Sequence, residues 1–367
     1  MVRFLLLSVF SSLLLVSCIN PNKGVEATDE PVFQTLFSPQ KEDGSCYRIP
    51  AMITAANGDL IVVADERLGS CADLRTHWDI NIVMRRSTDN GITWSEKEVI
   101  VDYPFGESAS DPSLILDEET GVVFLFFNYM NLETEKEVYY FKYIKSADHG
   151  KSWSDPVDIT SEISKPGWKK DFKFITSGRG MQTRDGRLIH TLVSLQQGLH
   201  LFGSDDHGES WYLIDTPIKP ADESKVIELD DGRWMINSRV SHLGHRYVHL
   251  SSDKGASWTS FPDTSLWDPA CNASLIRYAA MGEGDRNNVL LFANAFDHKE
   301  RVNLTLHVSY DEGATWPSAK TVYPGGSAYV SMTLLQNGKL GILFEKDDYK
   351  EINFVLLDLT PIINESE

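Results

Sequence analysis

The chain has 367 residues, of which 42% are hydrophobic and 11% aromatic, a composition that can close a large core and excludes a disordered chain. Its formal charge of −19 at pH 7 excludes broad contact with nucleic acid phosphates. Any anionic ligand must therefore be drawn by arginines gathered locally.

The chain opens with Arg3 and an apolar run from Phe4 to Val16, too short to span a bilayer and readable as an export signal over 1–17. Leu15-Val16-Ser17-Cys18 resembles a bacterial lipobox. That resemblance implies a lipid on Cys18 and an exported outer-membrane lipoprotein of a Gram-negative bacterium, periplasmic or at the cell surface, touching the membrane through its anchor only. An ordinary signal peptide that happens to contain a cysteine is the alternative. Residues 18–35 are polar, hold Pro and Gly, and predict a flexible tether. Val32 to Phe37 reads as a short strand that closes a ring by joining the last sheet. A monomer is the simplest expectation.

Ser87-Thr88-Asp89-Asn90-Gly91-Ile92-Thr93-Trp94 begins a series, Ser-x-Asp-x-Gly-x-Thr/Ser-Trp, that returns at Ser146, Ser204, Ser251 and Ser309. Its aspartates, Asp89, Asp148, Asp206, Asp253 and Asp311, are separated by 59, 58, 47 and 58 residues by subtraction. Strand-like runs before a recurring turn at this period predict a radial array of antiparallel sheets. In each turn the Asp accepts backbone N–H bonds about two residues on, the Gly supplies a positive φ and the Trp fills the gap between sheets. These Asp boxes resemble those of the sialidase and BNR-repeat propellers. The resemblance implies an all-β, six-bladed β-propeller of four-stranded antiparallel sheets over 36–360, with a tail at 361–367. Boxes specify a fold, not an activity.

In chain order, Tyr47-Arg48-Ile49-Pro50 resembles the sialidase motif that carries the first of three carboxylate-binding arginines. Arg67 ends the strand after it and Asp73 follows six residues later, which the resemblance makes an accessory substrate contact and the general acid/base. Asp111, in Ser110-Asp111-Pro112, is either the family's pocket aspartate or ordinary turn chemistry. The glycines around Arg179 either line the pocket mouth or serve packing. Glu223 and Arg239 stand at the far ends of two strands joined by Asp231-Gly232, so the hairpin brings them together on one edge. The resemblance makes Glu223 the partner of the nucleophile and Arg239 the second arginine, whereas Glu228 and Arg246 read as structural charges. Asn272 stands where the family usually has Gln, which leaves its role open. Arg301 matches the third arginine, Tyr329 the nucleophile and Glu345 the group that orients Arg48. Cys46 and Cys71 either pair or remain thiols, and in the first case Cys271 is a buried thiol.

A sialoside bears a carboxylate on its anomeric carbon, so a carboxylate nucleophile would be repelled where a neutral phenol is not. The resemblance thus implies a retaining exo-α-sialidase acting on terminal α-linked sialic acids of glycoproteins, glycolipids and oligosaccharides. Two other readings use the same scaffold: a sialic-acid lectin that has lost catalysis, and a trans-sialidase or intramolecular trans-sialidase. The histidines show no zinc spacing, so no metal and no cofactor is expected.

Overall fold

The structure, a computed structural model, describes residues 31–39, 44–278 and 289–364. The expected signal peptide, Cys18 and most of the expected tether lie outside these residues.

The described chain is all-β and propeller-like, built from five sheets in sequence order whose strands pair antiparallel, except Gly178–Arg179, which joins the second sheet parallel to Glu107–Leu116. The first sheet holds Cys46–Thr54, Leu60–Arg67, Ile80–Ser87 and Glu98–Val101. The second is led by Glu107–Leu116, the third is centred on Leu188–Ser194, and the fourth runs from Ser224–Glu228 to Thr259–Trp267. The last sheet has seven strands, from Ser274–Arg277 to Glu351–Leu357, with Phe33–Phe37 on its edge. Phe33–Phe37 therefore joins the end of the chain, as a ring-closing strand does.

The expectation of six separate four-stranded blades is corrected, because the hydrogen-bond ladder gives five sheets. The cause is one 17-residue strand, Ser318–Leu334. Residues 318–326 pair with Val302–Ser309 and residues 327–334 pair with Leu340–Lys346, so one uninterrupted backbone welds two four-stranded units together. The second and third sheets each carry a fifth strand. Residues from 361, expected as a tail, start inside the short helix Thr360–Asn364, where Ile362 and Ile363 are buried.

All five Asp boxes make one hydrogen-bond pattern. In the first, Gly91 N donates to Ser87 Oγ (2.9 Å), Thr93 N donates to Asp89 Oδ1 (2.9 Å) and Thr93 Oγ1 donates to Asp89 Oδ2 (2.5 Å). The carboxylate thus reaches four residues on, further than the two expected. The residue before each Gly also takes a positive φ, 59° at Asn90 and 63° at His149. Box tryptophans pack on neighbouring sheets: Trp94 meets Phe354 edge-on at 5.0 Å, and Trp211 meets Phe126 at 5.0 Å. The core lies between adjacent sheets, for example Ile61 and Met84 against Leu125 and Phe127. Each such side chain contributes about 1.5–3 kcal/mol when fully buried.

Candidate active site

Three candidate residues sit where an inner strand breaks its ladder. Register shifts fall between Arg48 and Ala51, between Ser110 and Ser113, and between Ser327 and Val330. Ile49 and Asp111, each followed by Pro, have φ of 58° and 60°. A positive φ is costly for a β-branched residue such as Ile49. These bulges bend the strands and re-aim Arg48, Asp111 and Tyr329 toward the axis.

On the first sheet, Arg48 Nε donates to Glu345 Oε1 at 2.6 Å, and the same oxygen accepts from Ile49 N at 2.8 Å. Burial alone would lower the Arg48 pKa, but the Glu345 carboxylate reverses the sign and holds the guanidinium charged. Arg67, 1% exposed, clamps Asp65 through Nε (3.1 Å) and Nη2 (2.9 Å). Its Nη1 donates to Asp73 Oδ1 at 2.6 Å and to the carbonyls of Cys71 and Ala72 at 3.0 and 3.1 Å. Arg67 therefore braces the loop that presents Asp73, whose side chain is 81% exposed. A disulfide between Cys46 and Cys71 ties that loop to the strand carrying Arg48. Cys271 is the free buried thiol, pushed up to about 12 by burial.

Asp111 N donates to Asp65 Oδ1 at 3.0 Å, and Asp111 Oδ2 accepts from Asn128 at 3.1 Å. Burial, reinforced by the nearby Asp65, pushes its pKa up to about 8. Asp65 holds Arg67 and the Ser110 hydroxyl, so Asp111 is where a proton of this pair resides.

Across the pocket, Arg239 N donates to Glu223 O at 3.0 Å, which extends the hairpin ladder to its open end. There Arg239 Nη1 donates to Glu223 Oε2 at 2.5 Å, and Tyr329 Oη donates to Glu223 Oε1 at 2.5 Å. Arg239 Nη1 also lies 3.4 Å from Tyr329 Oη. Burial first, and the Glu223 carboxylate second, raise Tyr329 well above the usual phenol value, so its proton stays on at neutral pH. Arg301 Nη1 donates to Tyr349 Oη at 3.0 Å and Nη2 to Ala270 O at 2.9 Å. The guanidinium carbons of Arg48 and Arg301 stand 5.8 and 5.7 Å from the centre of the Tyr329 ring.

Asp73, Asp111, Glu223, Arg239 and Tyr329 line one open cavity of about 320 Å³. It offers a phenol joined to a base, an exposed acid and the Arg239 guanidinium, while Arg48 and Arg301 approach the Tyr329 ring without lining the cavity itself; this set suits covalent displacement at a carbon beside an anion. Arg179 is elsewhere: it lines a second cavity of about 390 Å³ formed by the opposite ends of the inner strands. Arg246 is fully buried on Asp268 (2.8 Å) and is structural. Asn272 belongs to the layer between the cavities, bonding Lys225 Nζ (2.8 Å) and Ser177 Oγ (2.7 Å).

Sequence reasoning missed Asp65, Asp222 and Tyr349. Asp222 lies 3.6 Å from Arg239 Nε. Tyr349 stacks under Arg48 at 3.9 Å and ends a run of three residues with positive φ, Asp347, Asp348 and Tyr349. The Asp-Asp pair, tolerant of that conformation, was the available signal.

The BNR repeat-like domain model matches residues 71–342. A sialidase of Micromonospora viridifaciens is 35% identical over 347 residues, covering 86% of this chain and 52% of the relative. A sialidase of Bacteroides fragilis is 28% identical over 333 residues, covering 83% of this chain and 60% of the relative. The chain thus spans little more than half the length of these curated relatives. Among solved structures, a Hadza microbial sialidase superposes with a TM-score of 0.78 at 29% identity, covering 86% of this chain and 66% of that one.

Proposed function

This chain belongs to the BNR repeat-like domain family, and from that premise we propose that it is an exo-α-sialidase releasing terminal α-linked sialic acid from glycoproteins, glycolipids and oligosaccharides. The observation that carries the reading is the hydrogen bond from Tyr329 Oη to Glu223 Oε1, made beside Arg48, Arg239 and Arg301. A lectin has use for the arginines but not for a phenol coupled to a base. Sialidases with a tyrosine nucleophile depart from the usual two-carboxylate arrangement of glycosidases.

In the proposed reaction the arginines grip the substrate carboxylate by charge-assisted bonds and fix the ring for attack. Tyr329 Oη bonds to the anomeric carbon as its proton passes to Glu223. The glycosidic bond breaks, and its oxygen takes a proton from Asp73. Asp73 then removes a proton from water, which displaces the phenolate, and Glu223 returns the proton to Tyr329; two displacements give retention. Asp111 keeps the pocket wall beside Asp73 from gathering a further charge.

The test is release of a fluorogenic aglycone from an α-sialoside by wild type and Tyr329→Phe, with NMR of the first anomer formed. Release by wild type as the α-anomer and near loss in the variant are expected. Absence of release with retained sialic acid binding would shift the reading to a lectin. An internal anhydride as product would shift it to intramolecular transfer.

A further inference from the structure

Two large aromatic side chains beside the acid loop are exposed and yet in contact with one another. Trp78 is 41% exposed and Phe105 69% exposed, and their rings stack at 5.9 Å with 18° between planes. Single exposed apolar side chains are ordinary, but two near-parallel rings make a flat apolar surface that water covers poorly. Hydrogen bonds lock its place. His77 N and Thr76 N donate to Asp73 O at 3.2 and 3.0 Å, so Trp78 follows one tight turn after Asp73. Gly106 N, next to Phe105, donates to Trp78 O at 2.8 Å, and Ser108 Oγ donates to His77 O at 2.9 Å. The loop that presents the acid and the loop that leads into the Asp111 strand therefore hold the two rings as one unit.

The pair stands outside the cavity's lining, on the side of the acid loop. A group that protonates the glycosidic oxygen stands on the side from which the aglycone leaves, and Asp73 has that role in the proposed reaction. Pyranose rings carry an apolar C–H face that suits a flat aromatic surface. We propose that Trp78 and Phe105 form a carbohydrate subsite that receives the sugar to which sialic acid is attached, an inference that rests on the sialidase reading. The enzyme then favours oligosaccharide aglycones over small ones.

The test compares kcat/KM for a sialyl trisaccharide and for methyl α-sialoside, which has no aglycone ring, in wild type, Trp78→Ala, Phe105→Ala and Trp78→Phe. Each alanine variant is expected to lose about three- to tenfold on the trisaccharide with the methyl glycoside almost unchanged, and Trp78→Phe is expected to retain most activity. Equal losses on both substrates, or none on either, would overturn the subsite. Phe105, the more exposed ring, keeps the test valid if Trp78→Ala folds poorly. Wild type inactive on both substrates would overturn the sialidase reading itself, and the subsite with it.

Discussion

Glu223 divides its two carboxylate oxygens between Tyr329, whose phenol donates at 2.5 Å, and Arg239, which donates at 2.5 Å. In the proposed reaction one oxygen faces the proton to be taken, and the other faces the compensating Arg239 charge. Glu223→Gln preserves the shape and removes the base. It should lower kcat for α-sialosides by about 10²–10⁴-fold while KM moves far less. Steady-state kinetics check this, and a kcat near wild type would remove Glu223 from proton transfer.

Arg48 and Arg301 should fail differently when truncated. Arg48→Ala leaves the buried Glu345 carboxylate without its 2.6 Å partner, and breaking a buried pair costs about 3–5 kcal/mol. Arg301 meets only a hydroxyl and a carbonyl at hydrogen-bond distance among the described residues, so Arg301→Ala should cost about 1 kcal/mol and act chiefly on KM. Urea unfolding alongside kinetics separates the two. Equal destabilisation would contradict the geometry.

Asp111 predicts a pH signature. Its pKa rises from 3.8 to about 8 in the fold, through burial and then Asp65. A raised folded pKa means the unfolded chain releases this proton first, so the associated stability is complete below about pH 4 and is lost as pH approaches 8. Asp111→Asn stays neutral throughout. The stability of wild type relative to this variant should therefore fall between pH 4 and pH 8 in chemical denaturation. A pH-independent difference would mean that Asp111 is ionised in the fold.

The Cys46–Cys71 bridge spans a sequence separation of 25 that includes Arg48 and Arg67. Cys71→Ser should lower stability by about 2–4 kcal/mol. It should also reduce kcat at a temperature where the variant is still folded, because Arg67 holds Cys71 O and Asp73 together. Activity equal to wild type under those conditions would leave the bridge a stabilising role alone.

The repeating turns can be read off residue order alone, and five of the site residues named from it, Asp73, Asp111, Glu223, Arg239 and Tyr329, line the cavity. An Asp box is legible because the bonds among its Ser, Asp, Gly and Thr/Ser positions span at most four residues, as from Thr93 to Asp89. The hairpin from Glu223 to Arg239 is legible for the same reason: an Asp-Gly turn sets which ends meet. The prolines after Ile49 and Asp111 stand at the register shifts of their strands, a signal the sequence reading left unused.

The number of sheets and several contacts across the ring appear only once the chain is folded. Tyr323-Pro324-Gly325-Gly326 looks like a break by local propensity, yet the strand runs through it because strands on both sides pair with it. The family resemblance already paired Glu345 with Arg48, but nothing local brings them together across 297 residues, and Tyr349, under Arg48 and beside Arg301, went unread. The disulfide likewise needed the approach of a strand and a loop. Such contacts depend on how sheets close around an axis, a long-range balance of packing and pairing that no local pattern of residue types encodes.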